Sequence, residues 1–70
     1  MNIQSAISLG TNILKKKFIQ TAQLDSEILM TKVIGGDRKY ILLNNYQNLT
    51  DNNLKYFKKL IKERSLRKPI

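Results

Sequence analysis

The 70 residues include no histidine and no cysteine, which removes the commonest general base, the thiol nucleophile, disulfide staples and the usual zinc ligands together. The chemistry left to the chain is that of its charges. Thirteen Lys and Arg stand against five Asp and Glu, a formal net charge of +8, and such an excess suits an anionic partner such as RNA, DNA or a membrane surface. Ten Lys, nine Ile and seven Asn also dominate the composition. All three types have A/T-rich codons, so a biased genomic composition is enough to account for much of the charge without any selected phosphate contact, and nucleic-acid binding is the weaker reading. No catalytic, cofactor-binding or metal-ligating residue is expected within this chain.

Two groups of charged residues stand where they could act. Lys55, Lys58, Lys59 and Lys62, with Arg67 beyond them, spread over one side of a segment whose other side is Leu54, Phe57, Leu60 and Ile61. They form a candidate partner-binding face; in the alternative reading they hold ribosomal or transfer RNA as a free-standing basic module, and in the plainest they are solvated. Arg64 breaks this pattern. It falls between Phe57 and Leu60 on the arc that should face the core, where an unpaired guanidinium would be very costly. Either it reaches outward along its apolar stem or it meets a carboxylate. Asp25 and Glu27 are the best-placed partners, Asp25 first, which makes Asp25 and Arg64 a candidate structural ion pair.

The elements that must position these residues read as helices. Around the helical step, Leu24, Ile28, Leu29, Met30, Val33 and Ile34 point in nearly every direction, so Leu24–Ile34 is a central helix with no single solvent face. Ser26 lies inside the arc of Leu29, Met30 and Val33, where a small side chain lets another helix come close. Gly35 stops the helix as a left-handed C-terminal residue. Before it, Ile3, Ala6, Ile7, Gly10, Ile13 and Leu14 share one arc of an amphipathic helix, with Gly10 marking a close crossing rather than a hinge. Lys15, Lys16 and Lys17 close that helix where positive charge suits its dipole.

Beyond the glycines, Asp37 is an N-cap for a short helix through Leu43. Helix, glycine turn and short helix superficially match a helix-turn-helix DNA reader, but Ile41, Leu42 and Leu43 fill what should be a polar groove-reading surface. Asn44 to Asn48 form a polar connection in which Tyr46 covers the edge of the core. Thr50 caps the last helix, with Leu49 and Leu54 as a hydrophobic staple, and Pro69 ends it.

Together these elements make one small all-α domain, a bundle of four to five helices with a thin core. With 41% apolar residues and one proline, the composition is that of a folding chain rather than a disordered one. No apolar run approaches the roughly 18 residues of a membrane span, and no signal-peptide pattern opens the chain. A cytoplasmic location without membrane contact is expected.

Leu24-Asp25-Ser26-Glu27-Ile28-Leu29, Gly36-Asp37-Arg38-Lys39-Tyr40-Ile41-Leu42, Leu49-Thr50-Asp51, Glu63-Arg64 and Lys68-Pro69-Ile70 follow one another in a recognisable order and spacing. The series resembles the N-terminal helical domain of the HemK/PrmC family, the peptide chain release factor glutamine methyltransferases. The likeness covers roughly residues 22 to 70 and is weakest in the first helix. Lys68 departs from it, since the family usually has an acidic residue before the proline. What the resemblance implies is that residues 1–70 are a substrate-docking domain. A Rossmann-like catalytic domain would follow, holding S-adenosylmethionine and an Asn-Pro-Pro-Tyr motif, neither of which this chain carries. The implied partners are the release factor, whose Gly-Gly-Gln glutamine is methylated, and the protein's own catalytic domain.

Overall fold

A computed structural model describes residues 1–66, and within them the chain forms α1 (Ile3–Lys16), α2 (Ala22–Ile34), α3 (Arg38–Leu43) and α4 (Asp51–Ser65). Three of the four begin on a polar side chain that takes an exposed N–H of the first turn. Asn2 Oδ1 accepts from Ser5 N at 2.8 Å, Asp37 Oδ1 from Tyr40 N at 2.8 Å, and Thr50 Oγ1 from Asn53 N at 3.1 Å. Gly35 closes α2 in the left-handed region, at φ 74°. α4 ends at Ser65, ahead of Pro69; that proline, Arg67 and the rest of 67–70 lie outside the described residues.

α2 is the element against which the others are laid, packing on α1, α3 and α4, while α1 also meets α4. Leu29 and Met30 of α2 join Ile3, Ala6 and Leu14 of α1 and Phe57 and Ile61 of α4 in a single core. The coverage is not complete, because Leu24 remains 42% exposed, on the same side of α2 as the exposed Lys32. A six-residue α3 is too short to reach over it. Ile41 is the buried residue of α3, and Leu42 and Leu43 are 69% and 73% exposed. Tyr46, expected to cover the core edge, is instead 77% exposed.

The connection between α3 and α4 runs back across the start of α1. Ile3 N donates to Gln47 O at 3.0 Å, Gln4 N to Asn45 O at 2.9 Å, and Leu49 N to Met1 O at 3.0 Å. Backbone carbonyls of the connection thus satisfy first-turn N–H groups of α1 that the helix itself cannot.

Gly10 lets α1 approach α4. A Cβ placed on it would lie 2.7 Å from Ile61 Cδ1 and 3.0 Å from Phe57 Cζ, so both of these buried side chains would have to shift to admit it. The glycine is there for the crossing rather than for flexibility. Ser26 is fully buried, and its hydroxyl has no hydrogen-bond partner, which leaves a desolvated polar group in the core.

These two sites give opposite expectations in urea unfolding. Gly10→Ala gains about 1 kcal/mol of helix propensity but loses about 1–3 kcal/mol to overpacking, so it should destabilise. Ser26→Ala removes the orphaned hydroxyl and should stabilise by about 1 kcal/mol. A raised midpoint for Gly10→Ala, the propensity gain without an overpacking loss, would mean that the crossing is not tight.

Candidate functional site

The two acidic residues of α2 stand two positions apart, which turns them about 200° from each other around the helix axis. Each therefore meets a different neighbour. Arg64 Nε donates to Asp25 Oδ2 at 3.0 Å, with the arginine side chain 23% and the aspartate side chain 8% exposed. Thr21 Oγ1 donates to the same oxygen at 3.0 Å, and Asp25 N returns a bond to Thr21 O at 2.8 Å. Thr21, directly before α2, thus spends its hydroxyl on the carboxylate and makes no cap of its own. Arg64 is drawn inward, and its contact is one-pronged rather than bidentate.

Glu27 faces α3. Arg38 Nε and one terminal guanidinium nitrogen reach Glu27 Oε1 at 3.1 and 2.7 Å, and Gln23 donates to its other oxygen at 3.4 Å. Tyr40 Oη donates to Gln47 Oε1 at 2.9 Å, so α3 is held at two points besides the burial of Ile41. Sequence reasoning offered Glu27 to Arg64 and missed Arg38. The signal was available in the spacing, since residues two apart on a helix cannot serve one side chain on one neighbour.

Lys55, Lys58, Lys59 and Lys62 all lie exposed on the outer side of α4, with Tyr56 46% exposed among them. Arg67, the fifth member of that candidate face, falls outside the described residues. Between α1, α2 and α3 a solvent-open groove of about 240 Å³ is lined by Gln4, Ile7, Ser8, Gln23, Glu27, Ile41, Leu42 and Asn45. Its carboxylate is already paired with Arg38. Among the described residues no group of Asp and Glu could hold a metal ion, and no helix is long and apolar enough to cross a membrane. The arrangement can hold surfaces in place and present charge.

The family model of the PrmC N-terminal domain matches residues 5–70. The chain belongs to the HemK/PrmC family. The match takes in nearly all of α1, which extends the likeness beyond the region where the quoted motifs begin. This PrmC N-terminal domain is accordingly a type of module that accompanies a methyltransferase catalytic domain. No curated protein and no solved structure matches the chain.

Arg64 and Asp25 are separated by 39 positions in sequence, and their pair ties the last helix to the start of α2. Removing one partner strands the other, at a cost of about 3 kcal/mol, the low end for a pair that keeps some solvent access. Arg64→Ala should be the more damaging change, because Asp25 has no long stem on which to reach water, whereas the guanidinium does. In urea unfolding of Arg64→Ala, Asp25→Ala and the double variant, the double loss should fall well below the sum of the single losses. Simple additivity would remove the pair from any account of stability.

Proposed function

We propose that this domain docks a peptide chain release factor onto a methyltransferase, so that the glutamine of the factor's Gly-Gly-Gln loop enters the active site of the catalytic domain. The observation that carries this reading is the family match over residues 5–70. The contribution is positional: holding a large substrate converts a random encounter into an oriented, effectively intramolecular step. In this reading S-adenosylmethionine, which supplies the methyl group, is bound by the catalytic domain and by no residue of this chain. The setting is the cytoplasm, where translation ends.

The exposed lysines of α4 keep an RNA-binding reading in play, and salt separates the two. Four lysines on single-stranded RNA release about 0.7 ions each, which predicts about a fifty-fold loss of affinity over a roughly fourfold rise in salt. Under the docking reading this is the whole of the RNA affinity, weak and indifferent to sequence, while the same charges steer an acidic protein partner.

The test is a calorimetric titration of the chain with the release factor, alongside kinetics of the full-length methyltransferase with and without this domain. The chain should bind the factor. Removing the domain should raise KM for the factor and lower kcat with it, as expected when both binding and orientation are lost. No binding by the chain, or tight sequence-selective RNA binding that survives physiological salt, would overturn the docking reading.

A further inference from the structure

α1 closes with a two-bond turn. Phe18 N donates to Lys15 O at 3.0 Å and Ile19 N to Leu14 O at 3.1 Å, the pairing of a Schellman motif with Lys17 as the C-cap. This pairing requires a left-handed backbone at the next residue, which is Phe18, at φ 60°. Glycine is the usual occupant because it has no Cβ to clash, as Gly35 illustrates at the end of α2. A phenylalanine is strained there. No packing offsets the strain, since Phe18 is 85% exposed, while its neighbour Ile19 is 5% exposed. The turn needs an apolar side chain at 19 to seat it on the core and gains nothing from one at 18.

Next to the ring, Lys15 and Lys16 are exposed, and among the described residues no carboxylate pairs with either. Asp25 and Glu27 are taken by Arg64 and Arg38, and Asp37 caps α3. The tip of α1 thus presents one bare aromatic ring beside uncompensated positive charge, on a backbone held in a costly conformation.

We propose that Phe18 is a docking anchor that fills an apolar pocket on an acidic-rimmed protein partner, with Lys15 and Lys16 facing the rim. This rests on the docking reading above and specifies where the release factor touches the domain. A single aromatic side chain entering a pocket can carry much of an interface's energy, and the flanking charge selects a carboxylate rim and speeds the encounter. The two backbone bonds of the turn fix the main chain beneath the ring before binding, so only the ring's own rotamers have to be ordered on contact.

The strain makes the test decisive, because the anchor can be removed without harming the fold. The 70-residue chain, which closes its own core, is titrated with the release factor as the parent, as Phe18→Gly, as Phe18→Asn, and as Lys15→Glu/Lys16→Glu. Lys32→Glu/Lys39→Glu serves as a control of equal charge change. Phe18→Gly should raise the thermal midpoint while weakening binding by about tenfold or more. Phe18→Asn should weaken binding similarly at an unreduced midpoint, and the Lys15/Lys16 variant should weaken it well beyond the control. Parent-like binding by Phe18→Gly overturns the anchor and leaves the docking reading standing. Absence of binding by the parent overturns both. A midpoint that falls in both Phe18 variants shows that the ring serves the fold and also overturns the anchor. Loss of affinity for a single-stranded RNA oligonucleotide, with release-factor binding intact, replaces the proposal with base stacking.

Discussion

The apolar side chains of α2 are spread around so much of its circumference that one neighbouring helix cannot cover them, and the rest of the fold follows from that need. α1, α3 and α4 each lie against α2, and the third cover is a helix of six residues, with Leu24 left 42% exposed. Small side chains make the arrangement possible. Gly10 brings α1 within van der Waals reach of Phe57 and Ile61, and Ser26 is fully buried at a cost in unsatisfied polarity. In a core this thin, such close approaches replace the volume that a larger domain would fill with additional side chains.

Two ion pairs then orient the covering helices. Asp25 and Glu27 point to opposite sides of α2, so one holds Arg64 of α4 and the other Arg38 of α3. They differ in physical weight. The Asp25 carboxylate is nearly buried and also held by Thr21, which makes its removal or isolation expensive. The Arg38 side chain is 59% exposed, and a pair so hydrated contributes little by itself. α3 is accordingly the most lightly attached element, tied by Ile41, that pair and the Tyr40–Gln47 bond.

The family is one in which this domain accompanies a methyltransferase catalytic domain. Of its five carboxylates, Asp25 and Glu27 are engaged in pairs and Asp37 in a cap, while the lysines of α4 are exposed. The two ends of helices that turn left-handed illustrate the contrast: Gly35 relieves strain where the chain only has to turn, whereas Phe18 accepts strain at a place where a ring is displayed to solvent.

What the sequence by itself determined are the features that depend on a few neighbouring residues. The caps at Asp37 and Thr50, the stop at Gly35 and the apolar arcs of α1 and α4 are satisfied within one or two turns, so the local pattern suffices. Arg64 and Asp25 were also readable, because a charge on a core-facing arc must find a countercharge and few carboxylates exist. The family likeness was readable for a similar reason, since short motifs kept their order. Only the tertiary structure decided the rest. That Glu27 belongs to Arg38, that Asn45 and Gln47 carbonyls close the first turn of α1, and that Tyr46 stands away from the core all depend on where α3 settles against α2. The left-handed backbone at Phe18 was set by burial of Ile19, which forces the turn that follows α1 whatever residue occupies the position before it. Those outcomes come from competition among distant surfaces for the same small core, and no local pattern records which surface wins.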